Sequence, residues 1–342
     1  MLANFLREYK INRLYLSIMG LWPFQSWLTR ILLQTFYFLF EISYCPFEFR
    51  QLYKAIDEHW DIFTSDVEVQ VLKDYSDLSR KFTKYYSILL YVMTSGFVVV
   101  PLTPMFLDIV LPLNESRPRF LAIEVEFRVD KDKYFVPIFC YTSAIIIVGM
   151  TIIVSVDTMH ITCTTHACSL FAAVRYHVNT LDTSNEEMIY REYITCLKKH
   201  QLAIKFVDML ESSYRELSLF LLVLFIGISS LTGIRIVYVL DQLEEVARFM
   251  FIIMGALLIL LIVCYSGQKL MDESQNIFYQ AYAVEWYDFS PRLKSLLIIL
   301  LYRSSVPCGL KAGNMIPLSI ATYASVIQMG VTYFTAFLSI KN

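Results

Sequence analysis

Five long apolar runs divide the chain: Tyr85–Leu111, Tyr134–Val156, Leu217–Leu240, Phe249–Tyr265 and Met315–Ile340. Each is close to or above the ~20 mostly apolar residues that a helix needs to cross a bilayer. A sixth run, Trp27–Cys45, is broken by Arg30, Gln34 and Glu41 and reads as a weaker span. Leu293–Leu301 is too short to cross, and with Pro291 at its first turn it predicts a buried or interfacial helix. The stretch Phe49–Tyr75 mixes Lys54, Asp57, Glu58 and Asp66 with apolar positions. It predicts an amphipathic helix whose solvated face includes His59-Trp60-Asp61. Cys264–Phe289 follows the run Phe249–Val263 with no proline or turn cluster. Leu270, Ile277, Ala281 and Val284 mark one apolar stripe at helical spacing, widened by Phe278, Tyr282 and Trp286. Such a segment is too polar to cross a bilayer and too aromatic to lie uncovered in water.

The pattern predicts an all-α fold, a polytopic membrane helix bundle with six recognisable spans. Composition agrees: 56% of residues are hydrophobic and 18% charged, with mean hydropathy +0.52. Soluble domains lie nearer about 45–50% and 25%. Aromatics at 15% suit several interfacial belts of Trp and Tyr. A net charge of −2 argues against a nucleic-acid partner. The basic N-terminus precedes only a broken apolar stretch, so internal spans rather than a cleaved signal are expected to target the chain. The seven cysteines are scattered and read as small packed residues, not a disulfide frame.

Loop charges set the sidedness. Under strict alternation, loops 46–84, 157–216 and 266–314 carry 17 Lys and Arg, against 10 for the other side, which puts the first set in the cytosol. The one sequon, at Asn114, falls in loop 112–133 on the outer side and marks a glycosylation site. The C-terminus is then extracellular. Six spans would place the N-terminus outside as well, although Arg7, Lys10 and Arg13 favour the cytosol. The chain therefore reads one span short.

Candidate chemistry is sparse. His160, Cys163, His166 and Cys168 sit on one helix-like stretch and cannot all face one ion, so no metal and no cofactor is expected. No G-x-S-x-G, P-loop or H-E-x-x-H motif supports an enzyme. Arg30, Glu41 and Arg235 lie near the ends of their runs, where they snorkel. Tyr91, Thr94, Ser95, Tyr141, Thr142 and Ser143 place hydroxyls among apolar walls, which suits either a small hydrophobic ligand or helix packing. In the last run Ser319, Thr322, Ser325, Gln328 and Thr332 recur at spacings of three and four. That stripe either lines water or joins helices, and Leu318 at its mouth is placed to form a hydrophobic constriction.

The C-terminal third resembles the insect odorant receptors. The resemblance rests on Cys264-Tyr265-x-Gly267, Ala281-Tyr282, Trp286-Tyr287, Arg303-Ser304, Pro307, Ala312-Gly313, Pro317-Leu318-Ser319, Thr322-Tyr323 and Thr332-Tyr333-Phe334-Thr335. Ile11-Asn12-Arg13, Gly20-Leu21-Trp22-Pro23 and Pro112–Pro118 extend it towards the N-terminus. It implies a seven-span, ligand-gated, poorly selective cation channel in the plasma membrane of olfactory sensory neurons, a heterotetramer with an obligate co-receptor. The implied ligand is a small volatile molecule, with Tyr91, Ser95, Val98, Phe139, Thr142, Ile146 and Met254 as wall residues. The implied pore is the last helix, with its gate at Leu318 beside Ser319, Thr322 and Ser325. Residues 1–265 would form the ligand-binding bundle with cytosolic loop 157–216. Residues 266–314 would form a cytosolic anchor in which Tyr265, Tyr282, Trp286 and Tyr287 meet the partner subunit, which covers the Cys264–Phe289 stretch. Residues 315–342 would form the pore helix and the extracellular terminus.

Two departures from the family pattern stand out. The second span is missing after Cys45, which allows a truncated, non-functional receptor as an alternative. Loop 157–216 lacks the long insertion of the co-receptor, which points to the ligand-tuning subunit. A gustatory receptor would end in Gln-Phe where Ser339-Ile340 stands. A G-protein-coupled receptor would be oriented the other way and carry a D-R-Y-like triplet, absent here.

Overall fold

The computed structural model describes residues 8–18, 46–111, 117, 120–122, 133–179, 186–239 and 241–341. The weak span Trp27–Cys45 lies outside the described residues, as do Gly20–Pro23 and Asn114. Nine helices and one short hairpin make up the described fold: α1 (Lys10–Ile18), α2 (Pro46–Ile62), α3 (Asp66–Val99), α4 (Thr103–Val110), α5 (Phe135–Asn179), α6 (Glu186–Tyr238), α7 (Leu243–Ala283), α8 (Pro291–Ser304), β1 (Lys311–Ala312), β2 (Ile316–Pro317) and α9 (Ile320–Lys341). Helix α5 is the axis, and α1, α3, α6 and α7 all pack on it. Helix α8 lies on α7 and α6, and α9 lies on the same two helices.

Four of the described helices are long and apolar enough to cross a membrane: Asp66–Val110, Phe135–Val178, Glu186–Tyr238 and Glu245–Ala283. They extend far beyond the apolar runs. At ~1.5 Å per residue the 53 residues of α6 reach roughly 80 Å, more than twice the ~30 Å hydrocarbon thickness. Segment 157–216, expected as a loop, is therefore mostly two helical extensions. The physical reason is a second apolar periodicity: Cys163, Ala167, Leu170, Phe171 and Val174 of α5 face Tyr193, Cys196, Ala203, Phe206 and Leu210 of α6 in one buried cluster. Only 17–28% of each spanning window is buried, so the chain's own core lies in these extensions and the membrane section is left for lipid or other chains.

Three further expectations change. Phe49–Tyr75 is not one helix, because the chain breaks at 63–65 between α2 and α3. His59 and Trp60 do not belong to a solvated face. Both are buried, as are Leu52, Tyr53 and Ile56, and α2 packs on α6. The stripe of Leu270, Ile277 and Ala281 is fully buried within this one chain, in a cluster with Leu293, Leu297 and Leu300 of α8. A partner subunit is not needed to cover it. Helix α8 does begin with Pro291 in its first turn, and the Ser290 side chain caps it by accepting from the Leu293 N–H at 3.4 Å.

The last helix starts at Ile320, not at Met315, because the preceding residues pair as an antiparallel hairpin, Lys311 with Pro317 and Ala312 with Ile316. Gly313 and Asn314 turn it with φ of 59° and 61°, the left-handed region that these two residues tolerate best. The Gly313 N–H donates to the Arg215 carbonyl at 3.1 Å, which seats the hairpin on α6.

Candidate functional site

Ser319 caps α9, its hydroxyl accepting from the Thr322 N–H at 3.2 Å, while the Thr322 hydroxyl donates back to the Pro317 carbonyl at 2.6 Å. Beyond this cap the helix has two unlike faces. Tyr323, Val326, Gly330 and Phe334 form the packed face: Val326 is buried, Phe334 lies against Gly233 of α6, and Gly330 faces Ser229. About 180° away, by the ~100° step of a helix, run Ser325, Gln328, Thr332, Thr335 and Ser339, all exposed. Four of the five donate their hydroxyl protons to their own helix: Ser325 to Ala321 O, Thr332 to Gln328 O, Thr335 to Thr332 O and Ser339 to Ala336 O, at 2.8–2.9 Å. The oxygen lone pairs therefore point outward, an acceptor lining suited to water and cations. Leu318 and Ser319, by contrast, are buried within the single chain, and Thr322 is half-buried at the edge of the stripe.

The seven residues expected to line a ligand pocket make several different sets of contacts. Tyr91 and Ser95 border a cleft of about 370 Å³ between α1 and α3, together with Ile11, Tyr15, Lys84, Ser87, Ile88 and Val92. Phe139 stacks on Phe135 in a separate cluster with Leu121 and Ile138. Thr142 is buried and donates to the carbonyls of Ile138 and Phe139. Val98 and Ile146 are half-buried, and Met254 is exposed. Sequence reasoning missed the arginines that close this end. The buried Arg248 donates to the Leu121 carbonyl at 2.7 Å and pairs with Glu245, and Arg117 pairs with Asp108 at 2.9 Å. For Arg248 the signal was a single cation directly before the run that starts at Phe249, which hydropathy alone reads as a loop.

At the other end of the bundle, polar side chains are buried in pairs. The Lys199 ammonium bonds both oxygens of the buried Glu68 carboxylate, one of them at 2.7 Å. Glu273 accepts from the Tyr75 hydroxyl at 2.9 Å and pairs with Lys269 at 3.0 Å. His59 Nδ1 and His166 Nε2 share a hydrogen bond at 3.1 Å, and both rings meet Phe206 edge-on. Burial pushes His59 down to about 4. Burial, and then the nearby His59, hold His166 well below the usual histidine range. His160 faces elsewhere, towards the Ser266 hydroxyl at 3.3 Å and the Tyr214 ring. Among the described residues no three His, Cys, Asp or Glu side chains are grouped to hold a metal.

Along α7 and at the α7–α8 junction several aromatic side chains stay outside, whereas Phe289 packs on the core. Tyr265, Tyr282, Trp286 and Tyr287 are all exposed. Phe278 stacks on Tyr282, and Tyr282 leans on Trp286 with ring centroids 6.5 Å apart. Ile298, Ile299 and Tyr302 of α8 are exposed as well.

The family model for the 7tm Odorant receptor matches residues 29–331. Odorant receptor 67a of Drosophila melanogaster is 30% identical over 31% of this chain and 26% of its own length. The odorant receptor coreceptor of the same species is 24% identical over 46% of this chain and 33% of its own. The chain thus spans about a quarter to a third of these two relatives. The solved insect olfactory receptor OR5 of Machilis hrabei, in complex with eugenol, superposes with a TM-score of 0.64 over 98% of this chain and 99% of that one, at 15% identity. At that identity the likeness is one of fold: a helical membrane bundle. On the match across residues 29–331, this multi-pass membrane protein belongs to the insect seven-transmembrane odorant receptor family.

Proposed function

We propose that the chain is the ligand-tuning subunit of an odorant-gated, non-selective cation channel, assembled with the odorant co-receptor as a heterotetramer. The carrying observation is the Ser325–Gln328–Thr332–Thr335–Ser339 face, a continuous row of acceptors that one chain leaves open on a helix about 33 Å long. In hydrocarbon such a face needs water or another polar surface against it. Four copies of the helix around an axis supply the water. Leu318, held at the base of the stripe beneath α7, is the gate residue of this reading, with Ser319 and Thr322 beside it. The outward Tyr265, Tyr282, Trp286 and Tyr287 supply the contact between subunits.

The ligand is a small volatile hydrophobic molecule bound among α3, α5 and α7, with Tyr91, Ser95, Val98, Phe139, Thr142, Ile146 and Met254 as walls. The protein acts in the plasma membrane of olfactory sensory neurons, with its C-terminus and a glycan on Asn114 outside. The test is whole-cell current from cells expressing the chain with the co-receptor, across a panel of volatile odorants, with surface labelling in parallel and G-protein signalling blocked. An odorant-evoked cation current absent from co-receptor-only cells is the expected result. Surface delivery without current for any odorant would overturn the channel reading. Failure of delivery would favour the truncated receptor.

A further inference from the structure

The cleft between α1 and α3 has a shape and polarity that an odorant pocket does not need. Helix α1 runs alongside α3 in the same sense: the Glu8 carboxylate pairs with Arg80, the Tyr9 hydroxyl bonds Ser76, and Tyr15 packs on the cluster of Tyr86 and Leu90. The Asn12 amide holds α1 down by donating to the Thr158 carbonyl and the Thr162 hydroxyl of α5, both at 3.0 Å. With Asn12 facing inward, Ile11 and Tyr15 become one wall of the cleft.

The other wall is a row along α3 from Lys84 through Ser87, Ile88, Tyr91 and Val92 to Ser95. Its hydroxyls are already committed as donors: Ser87 to Thr83 O, Tyr91 to Thr151 Oγ1, and Ser95 to Val92 O. The wall therefore presents one cation and is otherwise mainly apolar. Lys84 stands at the last position before the apolar run, and no carboxylate of the described residues pairs with it. Lys81, Lys10 and Arg13 are exposed at the same end. From Lys84 to Ser95 is about 16 Å along the helix, half of the ~30 Å hydrocarbon thickness and so the depth of one leaflet. The cleft is open rather than enclosed, and Val92 on its wall is exposed. A ligand in it stays in contact with the bilayer.

We propose that this cleft holds a single anionic phospholipid, its headgroup at Lys84 and one acyl chain lying between α1 and α3 as far as Ser95. The cleft shares Tyr91 and Ser95 with the proposed odorant walls, and lipid labelling, unlike odorant-evoked current, reads its occupancy directly. The charge matches because a headgroup bearing net negative charge meets the Lys84 ammonium at the membrane boundary. The volume, about 370 Å³, falls at the low end of the range for small-ligand sites.

The test uses the purified full chain in phosphatidylcholine nanodiscs doped with phosphatidylserine carrying a diazirine in its acyl chain, with the matching phosphatidylcholine analogue as control. Photolabel is expected on peptides spanning residues 84–95 and 11–15. Lys84→Gln should lower phosphatidylserine labelling about five-fold, the factor one lysine near an anionic surface supplies, and leave phosphatidylcholine labelling unchanged. Val92→Trp, which narrows the cleft at its exposed wall, should lower labelling with Lys84 intact. Monodisperse elution of both variants establishes that they fold. Equal labelling by the two lipids, labelling indifferent to Lys84→Gln, or no label on these peptides would each overturn the site. Displacement of the probe by octanoate at equal concentration would reassign the cleft to a soluble carboxylate and overturn the lipid.

Discussion

Gly267 of α7 lies directly against Leu318: a Cβ added to the glycine would stand 2.3 Å from the Leu318 carbonyl oxygen and 2.8 Å from the Leu318 Cβ. The obstacle is backbone, and it is tied in place. The Leu318 N–H donates to the Leu310 carbonyl at 2.9 Å, and the next residue caps α9. Gly267→Ala should therefore push the base of the last helix off α7. Overpacking of this kind costs about 1–3 kcal/mol. A fall of several degrees in the thermal midpoint of the detergent-solubilised chain is expected, whereas Ala283→Gly at the end of the same helix should have a smaller effect. An unchanged midpoint for Gly267→Ala would show that the linker is free to move.

The acceptor stripe makes a separate prediction. Gln328→Leu and Thr332→Val remove outward-facing polar atoms from exposed positions and leave the packed face of Val326, Gly330 and Phe334 untouched. Stability and surface delivery should stay as in the parent chain. Unitary cation conductance should drop by about two-fold or more, since each change takes water-binding groups from the lining. Variants that conduct normally would move the pore to another face.

Acid should weaken the protein through His59 and His166. Each is buried and neutral, with its proton affinity depressed in the folded state, and the pair shares one hydrogen bond that a second proton would break. The unfolded chain takes up protons near the ordinary histidine value of about 6.5; in the folded chain His59 does so only at about 4, and His166 is held well below the ordinary range by burial and then by His59. The stabilisation is complete above ~6.5 and is lost as pH falls. Each pH unit below that costs up to roughly 1.4 kcal/mol per histidine. Thermal midpoints at pH 7.5, 6.5 and 5.5 should fall in that order, and the double substitution His59→Gln, His166→Gln should flatten the trend. An equally steep trend in the double variant would place the sensitivity elsewhere.

These relationships were unequally legible in the sequence. The apolar runs were visible because membrane burial depends on local composition, and α8 was visible because Pro291 and the short run sit together. The extensions of α5 and α6 were not. Their periodicity is carried by Cys, Ala, His and Tyr among charged residues, and hydropathy scores such a mixture as loop. His59 read as solvated because its neighbours in sequence are charged, while the groups that bury it, His166 and Phe206, lie 107 and 147 positions away. The expected wall residues are spread over several contacts for a related reason. Residues chosen by type on α3, α5 and α7 carry no information about which faces those helices turn to each other. In the structure Tyr91 meets Thr151 while Phe139 meets Phe135.

The aromatic ladder offers the sharpest division between folding and assembly. Because α8 already covers Leu270, Ile277 and Ala281, the chain does not need a partner to satisfy its core at this point. What remains outside is Tyr282, Trp286 and Tyr287, large side chains that water solvates poorly, and Ile298, Ile299 and Tyr302 of α8 are exposed too. Trp286→Ala should leave the thermal midpoint of the isolated chain within a degree or two, since an exposed side chain contributes little to its own fold. Capture by tagged co-receptor should fall by a factor of ~30, matching the ~2 kcal/mol typical of an aromatic at the centre of an interface. Leu297→Ala is the converse: it opens a cavity under the stripe, costs about 2–5 kcal/mol of stability, and lowers capture only in proportion to the folded protein that survives. If Trp286→Ala destabilises the isolated chain as much as Leu297→Ala does, the ladder belongs to this chain's own core and the subunit contact must be sought on another face.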